Sequence, residues 1–320
     1  MTRTLLKRSS ALLAAASALA LAGCSTGGAA SAGSAESSAA GTVSVEHAQG
    51  TTEVPADPEN VITYDLGVLD SLEALGEDVQ GLPKGSSLPE QFSKYESDEY
   101  VNAGALKEPD LESVAEADPD LIIISGRTAE YYDELSEIAP TVDLSIDQAD
   151  AMASFTEQSE TLGRIFGKEA EVEEKLAAID EQIERTKAGA ADAGSALFLL
   201  TSAGEVNAYG PGSRFGNIVF DALGLESAAQ VEAEGTHGEA VSFEAIADAN
   251  PDRLYVIDRD TTIGESGDAA QQVLDNELVN GTTAAREDRI TYLDGAGWYL
   301  VGFGLNNLPA MITEVEDSLS

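Results

Sequence analysis

The segment at residues 110–127, DLESVAEADPDLIIISGR, recurs at residues 242–259 as SFEAIADANPDRLYVIDR. In both copies a short amphipathic stretch leads to a Pro-Asp pair, an apolar run follows, and an arginine ends the segment. The pattern predicts a short helix, a turn and a buried strand in each copy. This combination is common enough to match by chance, but the shared spacing of Glu, Pro and Arg favours a true repeat. Two copies predict two similar α/β units.

Strand and helix patterns alternate around these two units. Residues 42–55 alternate as in a β-hairpin that turns near Gln49 and Gly50, and residues 61–64 predict a first buried strand, which a helix follows. The alternation predicts an α/β fold with two Rossmann-like lobes, each built on a central, mainly parallel sheet. We expect an N-terminal lobe at residues 42–150 and a C-terminal lobe at residues 192–320, with a ligand cleft between them.

Residues 151–191 lie between the two predicted lobes. Their apolar residues recur at helical spacing. The pattern predicts one long bridging helix, with Gly163 and Gly167 as points where it can kink.

The start of the chain has the pattern of an export signal. MTRTLLKRSS is basic, and the apolar stretch after it is too short to span a bilayer and ends in LAGC, at Cys24. We expect a signal peptide at residues 1–23 and lipid attachment at Cys24, because LAGC resembles the lipobox of bacterial lipoproteins. Cleavage beside an incidental cysteine is the alternative, but a lone free thiol is a liability in an exported protein. Residues 24–41, small and polar, predict a flexible tether to the outer face of the cytoplasmic membrane.

Acidic residues dominate the composition. The 320 residues include 58 acidic and 17 basic ones, for a formal net charge of −41. Binding to nucleic acid is not expected, because phosphate-binding surfaces need clustered lysines and arginines. An anionic ligand must therefore be met by local arginines.

Three arginines are placed where they can meet such a ligand. Arg127 and Arg259 follow the two predicted strands, and ligands of open α/β sheets collect at the carboxyl ends of strands. Arg214, in YGPGSRFG, is expected in the first turn of a helix with Ser213 as its N-cap, where a cation is unfavourable unless an anion lies beside it. Each alone is best explained as a surface ion pair. Together they favour an anionic ligand, because guanidinium groups bind oxygen anions directionally and keep their charge.

A histidine and two aromatic residues are further candidates. His237 lies in a glycine-flanked loop, and Trp298 and Tyr299 follow a predicted strand. Such residues are more often surface or packing residues, but histidine and tyrosine can also provide nitrogen and phenolate ligands to a ferric ion. A histidine-rich zinc or manganese site is hard to build, since the only other histidine is His47 in the N-terminal hairpin.

Several blocks together resemble one family. LKEPDLESVAEADPDLIIISGR, AYGPGSRFG, GTHG, SFEAI, NPDRLYVIDR and WYL are similar to blocks of the substrate-binding lipoproteins of ABC importers for ferric siderophores, above all the catecholate and petrobactin binders. The resemblance covers nearly the whole predicted folded body. It implies a class III periplasmic binding protein fold, with two α/β lobes joined by one long helix. It also implies that Arg127, Arg214 and Arg259 surround the anionic ferric complex, and that the protein has no intrinsic cofactor.

The resemblance also assigns roles to residues outside the arginines. In relatives that accept tetradentate catecholates, a histidine and a tyrosine complete the iron coordination, and here these would be His237 and Tyr299. Two glutamates dock with the permease in this superfamily, and the matching positions are Glu112 and Glu244, which are equivalent in the repeat. Further siderophore contacts are expected from Lys84 in GLPKG and from Trp298. Glycine replaces the serine that usually precedes the Thr-His pair.

We therefore expect a monomeric binding protein without catalytic residues. A haem or corrinoid receptor of the same superfamily is an alternative, but such ligands need an axial ligand and apolar walls more than three arginines. An exported lipoprotein hydrolase is a second alternative. No G-x-S-x-G motif supports it, and His237 has no evident serine or cysteine partner.

Overall fold

The computed structural model describes residues 41–85, 88–231 and 238–320. The predicted signal peptide, Cys24, all of the predicted tether except Gly41, and His237 lie outside the described residues. In the described part of the chain, no helix is both long and apolar enough to cross a membrane.

Short strands and helices alternate along the described chain. The strands are β1 (Thr42–His47), β2 (Gly50–Pro55), β3 (Val61–Thr63), β4 (Gly81–Leu82), β5 (Val101–Asn102), β6 (Gly104–Ala105), β7 (Glu108–Pro109), β8 (Leu121–Ile124), β9 (Thr141–Asp143), β10 (Ser195–Ser202), β11 (Glu205–Tyr209), β12 (Glu226–Ser227), β13 (Glu239–Ala240), β14 (Arg253–Asp258) and β15 (Ile290–Tyr292). The α-helices are α1 (Leu66–Ala74), α2 (Leu111–Glu116), α3 (Tyr132–Ser136), α4 (Ala151–Phe166), α5 (Glu169–Ala190), α6 (Phe243–Ala249), α7 (Arg259–Thr262), α8 (Ala270–Leu274), α9 (Glu277–Asn280), α10 (Thr283–Arg286) and α11 (Asn307–Ser318). Glu90–Glu96, Ala129–Tyr131 and Gln148–Asp150 are 3₁₀-helical, and Asn217–Ala222 and Ala296–Val301 are π-helical.

Two larger sheets confirm the predicted α/β class. The first has the strand order β5-β4-β3-β8-β9, and all its strand pairs are parallel. The second has the order β13-β11-β10-β14-β15, with β12 also paired to β10. Its pairs are parallel except for those that β11 makes with β10 and β13. A β1-β2 hairpin, paired from His47 and Gly50 outward, matches the hairpin predicted near Gly50.

The internal repeat is a structural repeat. Its two copies form α2 with β8 and α6 with β14, and both strands lie inside their sheets. Val114 and Ile246, at equivalent positions, are fully buried. A residue with left-handed backbone precedes the proline in each copy, Asp118 at φ 50° and Asn250 at φ 41°. The repeat therefore extends to the backbone conformation of its turn.

The prediction of one long bridging helix is wrong in one respect: residues 151–190 form two helices, α4 and α5. Gly167 ends α4 in a left-handed conformation, φ 62°, and its N–H donates to the carbonyl oxygen of Gly163. The N–H of Lys168 donates to the same oxygen, and α5 begins at the next residue. A glycine in this conformation is a common helix end. The break thus comes from the glycine that was expected only to kink the helix.

A buried carboxylate joins α1 to the start of α11. Asp70 is 4% exposed, and its Oδ2 accepts the N–H groups of Asn306 at 2.7 Å and Asn307 at 2.9 Å. Close packing accompanies this contact, since a Cβ on Gly67 would lie 2.1 Å from the carbonyl oxygen of Phe303. The segment before α11 is therefore fixed against α1.

This contact makes a stability prediction. Asp70→Ala should lower the free energy of unfolding by about 3 kcal/mol, because two N–H groups lose their acceptor. Asp70→Asn, whose side-chain oxygen still accepts, should cost less than about 1 kcal/mol. Urea unfolding of both variants measures the difference, and equal losses would contradict the proposed role of the acceptor.

The same residue predicts a pH dependence. Burial raises the pKa of Asp70, although the N–H groups of Asn307 and Asn306 act in the opposite direction. Its contribution to stability is therefore complete below the ordinary aspartate pKa and is lost as pH rises through the raised pKa. Between these two pKa values, the free energy of unfolding of the wild type should fall as pH rises. The fall should be smaller in Asp70→Asn, and urea unfolding at several pH values measures it.

Candidate ligand-binding site

A cavity of about 960 Å³ is lined by residues that follow strands of the first sheet, by residues of β10 and β11 in the second sheet, and by residues of α4. This volume suits a small-molecule ligand. Four of the lining residues mark the carboxyl ends of strands: Asp65 after β3, Arg127 after β8, Ser202 at the end of β10 and Arg259 after β14. The cavity thus lies where open α/β sheets bind ligands.

Tyr299 holds the three arginines that the sequence singled out. Its carbonyl oxygen accepts hydrogen bonds from Nη2 of Arg127 at 3.0 Å and from Nη2 of Arg214 at 2.5 Å. Its phenol oxygen accepts a hydrogen bond from Nε of Arg259 at 3.0 Å. All four residues line the cavity. Residues that are far apart in sequence therefore form one cationic wall around one tyrosine.

Two π-helical segments place Tyr299 and Arg214. Tyr299 lies within Ala296–Val301, and Arg214 lies in the turn before Asn217–Ala222. The expected first-turn position of Arg214 is therefore corrected: Ser213 Oγ does accept the N–H of Gly216, but the helix after it is a wider π-helix that begins later. Segments of this kind occur often at functional sites.

The carboxylate partners of the three arginines differ. Nη1 of Arg259 lies 3.5 Å from Asp260 and 3.4 Å from Glu265. Among the described residues, no carboxylate forms an ion pair with Arg127 or Arg214. Burial, and then the charge of Arg127, lower the pKa of Arg214 to about 10. Asp65, which also lines the cavity, acts on the pKa of Arg214 in the opposite direction but forms no ion pair with it. Two cations thus share a wall without an ion-paired carboxylate, which favours an anionic ligand.

Aromatic rings complete this wall. The guanidinium of Arg214 lies 5.0 Å from the ring centroids of both Phe215 and Tyr299, within the range of cation–π contact. Burial raises the pKa of the neighbouring Tyr209 to about 12, so this phenol stays protonated and neutral at physiological pH.

Residues 61–296 match a family described as periplasmic binding protein. The chain belongs to the periplasmic binding protein family. It is 45% identical over 271 residues to the petrobactin-binding protein YclQ of Bacillus subtilis, with 84% of each chain covered. It is 30% identical over 277 residues to the ferric-anguibactin-binding protein FatB of Vibrio anguillarum, with 85% of each chain covered.

Solved structures show the same relationship. The crystal structure of YclQ matches with a TM-score of 0.84 and 44% identity, covering 87% of this chain and 99% of that one. The catecholate-siderophore binding protein VctP of Vibrio cholerae matches with a TM-score of 0.81 and 33% identity, covering 86% of this chain and 99% of that one. The chain therefore has the fold of siderophore-binding members of its family.

Two other predicted ligand contacts of this periplasmic binding protein, Trp298 and Lys84, are less well placed to touch a ligand. Trp298 lines the cavity but is only 1% exposed. Its Nε1 donates to Oε2 of Glu314 at 2.5 Å, and its ring packs on Phe198. Lys84 is not among the cavity-lining residues, and its Nζ donates to the carbonyl oxygens of Ser97 and Tyr100. Core packing thus explains the position of the Trp298 side chain, and hydrogen bonds to backbone carbonyl groups explain that of Lys84.

The predicted docking and metal residues lie in three places. Glu112 and Glu244 are exposed in the first turns of α2 and α6. Tyr299 lines the cavity, and so does Gly238, the residue after His237.

Three charged residues of the cavity were not predicted from the sequence: Lys107, Asp65 and Glu130, the last in the 3₁₀-helical turn Ala129–Tyr131. Lys107 lies in the turn between β6 and β7, and Asp65 is the N-cap of α1 and accepts a 2.5 Å hydrogen bond from Ser125. Asp65 follows a predicted strand, so its strand-end position was a usable signal. Lys107 reaches the cavity only through the pairing of two very short strands, which no periodicity reveals.

Because Arg214 is partly buried beside Arg127, we expect Arg214 to lower the free energy of unfolding of the ligand-free protein. Arg214→Met should raise the stability of the ligand-free protein by about 1 kcal/mol, because it removes a partly buried cation that Arg127 repels. The carbonyl oxygen of Tyr299 keeps Arg127 as a donor, so no acceptor is left unpaired. Thermal unfolding without ligand measures the effect, and a loss of stability would show that Arg214 is needed for folding.

Proposed function

We propose that this protein captures an anionic ferric siderophore of the catecholate type outside the cytoplasmic membrane and delivers it to an ABC importer. The three arginines held around Tyr299, two of them without a described carboxylate partner, carry this proposal. Guanidinium groups bind delocalised oxygen anions with directional hydrogen bonds. The names of YclQ and FatB, which refer to petrobactin and ferric anguibactin, support a ferric siderophore as the ligand class.

The cavity offers a protein donor for the iron itself. Tyr299 offers a phenol oxygen, and ferric iron prefers oxygen ligands. His237 is proposed as a second donor because the residue that follows it, Gly238, lines the cavity. A tetradentate siderophore would leave two iron sites for these donors, whereas a hexadentate one would leave none and rely on the arginines. Lys84 and Trp298 are proposed only as peripheral contacts of the siderophore.

The family and the charges argue against the other candidate functions. Periplasmic binding proteins bind ligands and are not enzymes, so the hydrolase alternative is not favoured. A haem or corrinoid needs mainly apolar walls, whereas this cavity carries four basic residues, Lys107 and the three arginines, against two acidic ones, Asp65 and Glu130. The ligand is therefore expected to carry net negative charge.

Anchoring and docking complete the proposed cycle. Cys24 would carry the lipid that holds the protein at the outer face of the membrane, and the segment up to residue 41 would act as the tether. Glu112 and Glu244 would dock with arginines of the permease. Their exposure and their equivalent places in the repeat support this role. The protein is expected to act as a monomer.

Titration of tryptophan fluorescence tests ligand binding. Residues 41–320, whose only tryptophan is Trp298, should show saturable quenching by ferric complexes of tetradentate and hexadentate catecholates. Arg127→Ala should weaken binding by roughly 10–100-fold, because charge-assisted hydrogen bonds contribute about 1.5–3 kcal/mol each. Tyr299→Phe should weaken only the tetradentate complex.

Matched controls make the titration specific. Arg286→Ala removes one exposed positive charge outside the cavity and should leave affinity nearly unchanged. Zinc should cause no saturable change. If haem or a corrinoid binds and no ferric catecholate does, the siderophore assignment is wrong.

Permease docking predicts variants that bind but do not transport. Glu112→Ala and Glu244→Ala should retain siderophore affinity and reduce uptake of radioactive iron in cells by at least about tenfold, because each removes a charged partner at an interface. Glu116→Ala and Asp248→Ala are matched controls, since these exposed acids lie on the same two helices. Equal uptake in all four variants would contradict docking through the glutamates.

A further inference from the structure

A buried aspartate lies behind the cavity wall, next to Arg259. Asp260 is 5% exposed and is not among the cavity-lining residues. Its Oδ2 accepts the N–H of Ala203 at 2.6 Å, and its Oδ1 accepts the hydroxyl of Ser202 at 3.1 Å. A Cβ on Gly267 would lie 2.7 Å from Oδ2, so the loop at residues 263–269 covers the carboxylate closely. Such a contact network fixes the carboxylate in one position.

The same network holds one edge of the Arg259 guanidinium. Nη1 of Arg259 donates to Ser202 Oγ at 3.1 Å, and Ser202 in turn donates to Asp260. The Nε of Arg259 then points at the phenol oxygen of Tyr299. A chain of hydrogen bonds therefore runs from Asp260 through Ser202 and Arg259 to Tyr299.

Glu265 is a second acid beside Arg259, and it is placed differently. Its side chain is 60% exposed and its Oε2 lies 3.4 Å from Nη1 of Arg259. An exposed pair of this kind contributes little and can exchange with solvent. Asp260, 3.5 Å from the same Nη1 and buried, is therefore the more firmly held of the two acids beside Arg259.

We propose that Asp260 is a positioning residue for the ligand site: through Ser202, and through its own 3.5 Å contact with Nη1, it holds Arg259 in the orientation that presents Nε to Tyr299 and the guanidinium to an anionic ligand. The role in binding rests on the proposed siderophore function, whereas the role in orienting Arg259 does not.

Whether Asp260→Asn raises or lowers ligand affinity distinguishes a positioning role from a purely electrostatic one. Removing a carboxylate beside an anion site strengthens anion binding if only charge matters, because a repulsion is lost. Asp260→Asn keeps the size of the side chain but cannot accept on both oxygens. If Asp260 acts by positioning, the variant should bind the ferric tetradentate catecholate at least about tenfold more weakly. Glu265→Gln should bind it equally well or more tightly.

A double-mutant cycle tests whether the effect passes through Arg259. In an Arg259→Gln background, Asp260→Asn should no longer weaken binding, since the residue that it positions is gone. Ser202→Ala breaks the chain at its middle but leaves the 3.5 Å contact between Asp260 and Arg259, so it should reproduce part of the loss seen in Asp260→Asn. A purely structural role would give the same loss in both backgrounds.

A matched control lies at the other end of β10. Asp252 accepts the N–H of Ser195 at 2.8 Å and the hydroxyl of Ser195 at 3.2 Å, away from the cavity. Asp252→Asn should cost similar thermal stability without changing ligand affinity. The measurements use the full chain purified in detergent.

A ligand-free measurement keeps the inference separate from the proposed function. The Nε–H of Arg259 should give a slowly exchanging nitrogen-15 NMR signal that Asp260→Asn removes and Asp252→Asn retains. Persistence of that signal in Asp260→Asn, or tighter ligand binding by this variant, would overturn the inference. If the wild type binds no ferric catecholate, the proposed function fails, and the NMR comparison still decides the positioning role.

Discussion

One carbonyl oxygen, that of Tyr299, orients two arginines without neutralising either. A carboxylate at the same place would hold Arg127 and Arg214 more strongly, but it would also cancel the attraction for an anionic ligand. A carbonyl dipole fixes the direction of both guanidinium groups and leaves their charge available. The cavity can therefore be both ordered and cationic within a chain of net charge −41.

This arrangement depends on the backbone around Tyr299 being held in place. The segment between β15 and α11 is fixed by Asp70, which accepts two N–H groups at the start of α11, and by contact of Phe303 with Gly67. Trp298, the neighbour of Tyr299, is fixed in the core by Glu314. Contacts outside the cavity thus hold the backbone that places Arg214 in a partly buried position beside Arg127, and burial and then the charge of Arg127 lower the pKa of Arg214.

The sequence predicted those features that depend on residue type and spacing. The repeat, the two sheets and the positions of Arg127 and Arg259 followed from apolar runs and strand ends, whereas Arg214 was singled out from an expected helix start that the structure corrects. The ending of α4 did not, because a glycine that kinks a helix and one that ends it look alike in sequence. The role of the Tyr299 carbonyl could not be predicted, since every residue has one. The sequence also could not show which of Lys84 and Lys107 lines the cavity. Tertiary contacts bring Lys107 to the cavity and hold Lys84 on the carbonyl oxygens of Ser97 and Tyr100.

The repeat carries a further consequence for the proposed cycle. Each copy begins with an exposed glutamate on a helix and ends with an arginine at the cavity, and a buried strand joins them. Within one copy the two charges are therefore held at a nearly fixed separation. If a ligand draws the backbones at Arg127 and Arg259 together, the helices that carry Glu112 and Glu244 move with the strands, and the distance between the two glutamates changes. The permease would then distinguish loaded from empty protein by geometry alone, without contacting the ligand.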